Sequence, residues 1–320
     1  MMKIVQCVPN ISEGRDLQKI ERIIEPLRHQ EGFKLISYEP DKDYNRTVIT
    51  LIGDPDKMII PLINFVQKAM EEIDMNQHHG EHPRMGAVDV IPFIPIQEMT
   101  LDECVNYAKS LADHVSFMYQ IPVFLYAKAA QVKERESLPE IRRGEFEGMK
   151  EKIQDPMWKP DYGPSFIHPT FGVVAIGARL PLIAFNIDLN TMDEKIASAI
   201  AKAIRQSSGG FQYIQAGPAT LVERGHVQVT MNILDYKKNP IYRILETVKM
   251  EAKRYQVNVM SSEIVGLLPK EAITDSLKYY LQTEKITFDK NMSFETIVEL
   301  VRTYLLFRDF DIEKMIEANL

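Results

Sequence analysis

Thr47-Val48-Ile49-Thr50-Leu51-Ile52, then Gly53, then Asp54-Pro55-Asp56, carries the chain from one kind of secondary structure to the other. The first run is β-branched and apolar, which favours an extended strand whose side chains pack on a pleated surface. Asp54 can then accept from the free N–H groups of a first helical turn. Pro55 fits that turn because the N–H it lacks would have had no partner there. Reading towards the N-terminus, residues 33–38 form a further strand and residues 16–29 a helix with Leu17, Ile20, Ile23, Ile24 and Leu27 on one face. Residues 3–8 are again a strand. Reading the other way, the helix runs over residues 56–73, a strand follows at 88–94, and Thr100-Leu101-Asp102-Glu103 is a capping box for a helix ending at Tyr119. Residues 122–126 return as a strand. The order β-α-β-β-α-β-α-β predicts an α+β fold of sandwich-like layers, a mixed sheet with helices packed on one face, and not a doubly wound parallel sheet.

Beyond it, residues 134–152 read as one charged helix. Residues 154–169 read as a Pro/Gly/aromatic loop holding Trp158, the single tryptophan, and its length points to function. Strands are predicted at 172–175 and 181–188, and Thr191-Met192-Asp193-Glu194 opens a helix to Arg205. Ser207-Ser208-Gly209-Gly210 is a turn, followed by strands at 211–215 and 226–233, a helix after Pro240 and more helix from Pro269. This is a second β/α unit, giving an N-terminal subdomain over residues 1–178 and a C-terminal one over 179–320. Neither a low-complexity linker nor an internal repeat is visible.

The 320 residues are 45% hydrophobic and 26% charged, enough to bury one large core or two smaller ones. The first nine residues hold too short an apolar core for a signal peptide, and residues 172–189 are interrupted by Arg179, Pro181, Asn186 and Asp188, which a membrane span would not tolerate. A cytoplasmic protein is the expectation. Cys7 and Cys104 both lie in apolar-periodic segments and read as buried free thiols. A net charge of −7 argues against a nucleic-acid or membrane-surface partner, so an anionic substrate would need a local basic lining.

The chemistry concentrates in His78-His79-Gly80-Glu81-His82-Pro83-Arg84-Met85-Gly86, which holds three of the seven histidines, with Asp74 nearby. Gly80 and Pro83 break any helix, and the apolar run Val88-Asp89-Val90-Ile91-Pro92-Phe93-Ile94-Pro95 follows as a strand, so the cluster reads as a rigid loop opening onto a cleft. A base, an acid and an anion anchor are within local reach. A solvated surface loop and a metal site are the other readings. The metal reading is weak, because a zincin helix needs a glutamate after its first histidine, and here His79 follows His78 while Gly80 interrupts the turn.

Several longer motifs resemble one family. Val8-Pro9-Asn10-Ile11-Ser12-Glu13-Gly14-Arg15, Asn45-Arg46-Thr47-Val48, the run from Gly80 through His82-Pro83-Arg84 to Phe93, Gly177-Ala178-Arg179 with Leu182-Ile183-Ala184-Phe185-Asn186, and Glu263-Ile264-Val265-Gly266-Leu267-Leu268-Pro269 look like the glutamate formiminotransferases. The resemblance spans nearly the whole chain. It implies a folate enzyme of histidine degradation that moves a formimino group between tetrahydrofolate, as co-substrate, and glutamate. It also implies two α/β subdomains with a folate tunnel between them and a homodimer; no metal is expected, because no distant Cys/His cluster completes a ligand set. Animal members are fused to a cyclodeaminase, which here would be a separate protein.

The transfer needs a base for the attacking amine and an acid for the departing one, and histidine titrates in the right range for the first. His82 matches the family's base. The family's acid is an aspartate ahead of its Asn-Arg-Thr motif; counting back without gaps lands on Glu39, with Asp41 and Asp43 nearby. Arg46, Arg84 and Arg179 fall within motifs and suit bidentate carboxylate binding, although each would serve equally in a structural ion pair. The resemblance places folate against Gly163, Pro164, Ser165, Phe166, Ile167, His168, Pro169, Thr170, Phe171 and Gly172, with Asn10 at the same site or capping a loop. Three classes of function remain: formimino transfer; a related folate reaction with a formyl donor or a cycloligase acting on 5-formyltetrahydrofolate; and a folate-binding protein without catalysis or a metal-dependent amidohydrolase. The ungapped count predicts that Glu39→Gln slows turnover while Asp41→Asn stays near normal. The reverse pattern in steady-state rates would move the acid to Asp41.

Overall fold

The computed structural model describes residues 3–42, 44–289 and 291–319; Asp43 lies outside them. The chain divides into two compact units, residues 1–179 and 180–320. The first unit runs β1 (Ile4–Cys7), β2 (Asn10–Ile11), α1 (Leu17–Ile24), β3 (Phe33–Asp41), β4 (Arg46–Gly53), α2 (Pro55–Glu72), β5 (Val88–Gln97), α3 (Leu101–Tyr119), β6 (Val123–Ala127), α4 (Leu138–Arg142), α5 (Glu145–Lys152) and β7 (Val174–Ala178). Asp54 caps α2 as its sequence predicts, accepting from Asp56 N–H, and Thr100 and Glu103 form the capping box of α3.

Its seven-stranded sheet places β3 beside β4, then β1 and β2 end to end, then β5, β7 and β6. The pairings from β3 to β5 are antiparallel, with Cys7 opposite Leu51 and Asn10 opposite Val48, and those of β5, β7 and β6 are parallel, with Ile91 opposite Ile176. The sheet is mixed, as expected. Cys7, Ile49, Leu51, Ile91, Phe93, Leu125 and Ile176 join Ile20, Leu62, Phe65 and Leu111 in one apolar core, so α1, α2 and α3 cover one face. Cys7 and Cys104 are free and buried, and burial raises both thiols, that of Cys104 to about 12.

The expected single helix over residues 134–152 is broken. A 3-10 turn at Lys133–Arg135 leads into α4 and then α5, because Pro139 restarts the chain in a first helical turn and Gly144, at φ 90°, ends it in a left-handed conformation. The two short helices turn onto the other face of the sheet, where Ile141, Met149 and Ile153 pack against Met85, Val90, Phe124, Tyr126 and Ala175. Helices therefore cover both faces of this sheet.

The second unit runs β8 (Ile183–Leu189), α6 (Glu194–Ile204), β9 (Ile214–Leu221), β10 (His226–Ile233), α7 (Ile241–Arg254), β11 (Val259–Val265), α8 (Lys270–Thr283) and α9 (Phe294–Tyr304). Its sheet has the order β11-β8-β10-β9 and is wholly antiparallel, where a mixed sheet was expected. Odd-numbered Ile183, Phe185, Ile187, Val227, Val229 and Met231 face the helices, as the period of two requires. Both units thread the same split β-α-β-β-α-β path, a repeat of topology that no repeat of sequence announces.

Gly86 and Gly172 sit where the histidine loop meets the segment before β7. Ala87 N–H donates to Phe171 O at 2.8 Å and Val173 N–H to Met85 O at 3.0 Å. A Cβ on Gly172, whose φ is 85°, would overlap Met85 O. Gly172→Ala is therefore expected to destabilise the protein by about 2 kcal/mol or more, read as a lower urea midpoint, since both the conformation and the space are wrong for a side chain.

Candidate active site

The quoted motifs meet in space through backbone clamps. Asn45, in a left-handed conformation at φ 50°, accepts from Gly14 N–H at 2.9 Å through its side-chain oxygen and donates from Nδ2 to His79 O at 2.9 Å. Thr47 Oγ1 donates to Glu13 O, and Ser12 Oγ donates to Gly86 O at 2.8 Å. One asparagine, one threonine and one serine thus tie the first motif, the start of β4 and the histidine loop together, each bond contributing on the order of 1 kcal/mol.

The histidines separate by role. His78 is buried; its Nε2–H donates to Asn45 O at 2.8 Å, and Arg84 Nε donates to its Nδ1 at 3.1 Å. A carbonyl can only accept and a guanidinium can only donate, so the ring is the neutral Nε2–H tautomer. Burial holds it below the ordinary histidine value, and it serves as a brace. Arg84, also buried, spends its remaining donors on Glu145, Glu147 and His78 O at 2.7–3.2 Å. Its guanidinium is fully committed. His79 is exposed.

His82 is placed differently. The residue is 8% exposed, and its Nε2 lies 3.9 Å from Asp89 Oδ2, an ion-pair distance too long for a hydrogen bond. Nε2 is fully buried without a hydrogen-bond partner among the described residues. Nδ1 makes no hydrogen bond among the described residues and is not fully buried, so it is the nitrogen with access. Asp89, at the start of β5 and 1% exposed, accepts from Met85 N–H at 3.0 Å through Oδ1 and from Arg142 Nε at 2.8 Å through Oδ2. Burial alone would raise its carboxyl; Arg142, His82 and the Met85 N–H outweigh that and hold it below the ordinary aspartate value. Sequence reading passed over both partners. The signal for Asp89 was there, since it is the single charge in an apolar strand and a buried carboxylate must be paired. Nothing in its segment marks Arg142 apart from Arg143.

Positive charge gathers around this pair. Arg46 lies over the Tyr44 ring at 5.5 Å, and the Tyr44 and His82 rings meet in a T-shaped arrangement with centroids 6.2 Å apart. Arg46 Nε is buried with no hydrogen-bond partner among the described residues, and burial, followed by the like charge of Arg142, lowers the guanidinium's affinity for its proton. Burial raises the phenol of Tyr126, and the positive charges of Arg179, at the end of the first unit, and Arg142 partly offset that. A protein of net charge −7 thus sets Arg142, through Asp89, and Arg46, through Tyr44, around one histidine.

Of the two acid candidates, Glu39 is exposed on the edge strand β3, opposite Val48, and makes no side-chain bond among the described residues. Asp41, opposite Arg46, already accepts from Tyr44 N–H at 2.9 Å. Asn10 donates to Val8 O at 3.1 Å. In the segment 163–172, Phe166 is 63% exposed, whereas Phe171 is buried in the core. Gly163 has φ 89°, Pro164 and Ile167 are half-buried, and Ser165 O accepts from Gln154. His168 Nδ1 accepts from Phe171 N–H at 3.1 Å, Pro169 O from Asn76 and Thr170 O from Met75 N–H. This segment is therefore fastened beside the histidine loop, with one ring free to stack. No group of three His, Cys, Asp or Glu side chains among the described residues could hold a metal ion, and no described helix is long and apolar enough to cross a membrane.

Comparison with known proteins agrees with this geometry. Residues 4–179 match the model of the formiminotransferase domain, N-terminal subdomain, and residues 184–316 that of the formiminotransferase domain. The chain is 46% identical over 292 residues to a glutamate formimidoyltransferase of Streptococcus pyogenes serotype M1, covering 91% of this chain and 98% of that one. It is 44% identical to a glutamate formimidoyltransferase of Thermoplasma acidophilum, over 88% and 93% of the two chains. The formimidoyltransferase-cyclodeaminase of Sus scrofa is 37% identical over 89% of this chain and 54% of its own length.

The buried pair sets an acid limit on stability. Because the folded Asp89 carboxyl lies below its unfolded value of about 3.9, its contribution is complete above that pH and is lost as pH falls through the folded value. Urea denaturation from pH 5 to pH 3 should show wild-type stability dropping below about pH 4. Arg142→Gln, with the pair already broken, should start less stable and fall less steeply.

Proposed function

The chain belongs to the formiminotransferase family, and from that premise we propose that it is a glutamate formimidoyltransferase, moving a formimino group between N-formimino-L-glutamate and tetrahydrofolate. The folate amine attacks the amidine carbon and gives a tetrahedral intermediate, and His82 takes the proton that the attacking nitrogen sheds. The carbon–nitrogen bond to glutamate then breaks as a carboxyl protonates the departing nitrogen, leaving 5-formiminotetrahydrofolate and glutamate. The observation that carries this reading is His82 itself, a buried ring whose accessible nitrogen lies in a basic setting with the unpaired Nε of Arg46.

Glu39 is the acid in this scheme, because it is unencumbered whereas Asp41 is used to fix the Tyr44 turn. Arg46 and Arg179 are the anchors for substrate carboxylates. Arg84 is left out of that role, since its donors are spent on two glutamates and His78. Phe166 offers the ring face for the pterin, the rest of residues 163–172 fixes its position, and Asn10 is available beside β4. In this reading the enzyme is a cytoplasmic homodimer that needs no metal.

A coupled assay with formiminoglutamate and tetrahydrofolate, run with a chelator, tests the reading. Transfer should survive the chelator, and His82→Ala should lower turnover by about 10² to 10⁴-fold while folate binding persists. Activity confined to a formyl donor would reassign the reaction, and near-normal turnover in His82→Ala would remove the base.

A further inference from the structure

We propose that Asp89 is a positioning residue for the transfer: held by Arg142, it presents a carboxylate oxygen to His82 Nε2, fixes the proton there and leaves Nδ1 as the accepting nitrogen. The inference rests on the reading of His82 as the base and adds the group that orients it.

The geometry supplies each part. An imidazole has two nitrogens, and only the bare one can take a proton, so a histidine base needs a partner that decides which is bare. His82 Nε2 is buried, lacks a hydrogen bond and lies 3.9 Å from Asp89 Oδ2. A carboxylate can only accept, so the ring turned toward it is stabilised with the proton on Nε2. Closing the remaining gap to a hydrogen bond is the tightening that catalytic contacts undergo when substrate binds. Protonation on Nδ1 then produces an imidazolium whose Nε2–H already faces a negative charge.

Arg142 limits what Asp89 can do. Unpaired, a buried carboxylate beside His82 would favour the imidazolium at rest and leave no base. Arg142 neutralises most of that charge while holding Oδ2 in place, and Met85 N–H holds Oδ1. The other groups facing His82 are Tyr44, from the turn before β4, and Arg46, from β4 itself and packed on Tyr44. A guanidinium can only donate, and a phenol oxygen is a weaker acceptor than a carboxylate, so among these described residues Asp89 is the strongest acceptor for the Nε2 proton.

Asp89→Asn keeps the shape and an oxygen for Met85 N–H, but it turns an N–H₂ toward Arg142 and His82. That donor favours a bare Nε2 and puts the ring proton on Nδ1. The expected result is a fall in kcat of about 10² to 10⁴-fold with KM nearly unchanged, as for the equivalent change in a hydrolase triad. The acid limb of the kcat/KM profile should also move to lower pH, by about one unit, because a negative charge has gone. Arg142→Gln should move the limb the other way, since it frees the charge of Asp89. Loss of activity in proportion to the unfolded fraction, with both limbs in place, would overturn the proposal. If wild type fails to transfer formimino groups, the functional reading falls instead. The titration of the His82 C2 proton, compared between wild type and Asp89→Asn, then still decides the positioning role: a lower midpoint supports it and an unchanged midpoint overturns it.

Discussion

The ion pair between Asp89 and Arg142 is the constraint from which the first unit's site follows. A carboxylate at the head of an otherwise apolar strand cannot be buried alone; removing one partner of such a pair costs about 3–5 kcal/mol. The chain meets that demand by breaking the segment after β6 into two short helices. The end of α4 then carries Arg142 to Asp89, while Ile141 from the same helix and Met149 from α5 fill the apolar patch formed by Val90, Phe124 and Tyr126. His82 is delivered to the same place by the loop before β5. The pair therefore links an energetic requirement of the fold to the surroundings of His82.

The long motifs divide their work between framework and chemistry. Asn45, Ser12, Thr47, Gly86 and Gly172 hold four distant segments in register through contacts to backbone, and His78 and Arg84 brace the loop in a closed network with Glu145 and Glu147. His82 differs from both braces, because it is buried in that loop with neither ring nitrogen hydrogen-bonded among the described residues. A motif rich in charged and ring-bearing residues is thus mostly scaffold, and its chemistry rests on the residue the scaffold leaves unsatisfied.

Element order was legible because strands and helices announce themselves locally: the alternation around residues 47–52, the cap at Asp54 and the box at Thr100 all act within a few residues. The break inside residues 134–152 was not, since charge at helical spacing outweighed Pro139 and Gly144 on the page, whereas the buried apolar face of α4 and α5 outweighs it in the fold. The same limit explains β11 and the topological repeat, both of which depend on pairings between residues far apart in sequence, such as Glu263 with Asn186. At the site, His82 stood out by type and setting. Arg84 looked equally functional, and only its partners across α5 show that its charge is spent. Asp89 looked like a strand residue because its partner is 53 positions away.

The account turns on where the ring proton of His82 sits. Long-range ¹⁵N–¹H correlation on protein labelled in histidine, at neutral pH without substrate, reads that directly. The account predicts a His82 ring with a protonated Nε2 and a bare Nδ1, the same tautomer as His78 but without its shield of partners. A His82 ring protonated on Nδ1, or one exchanging freely between the two tautomers, would contradict it.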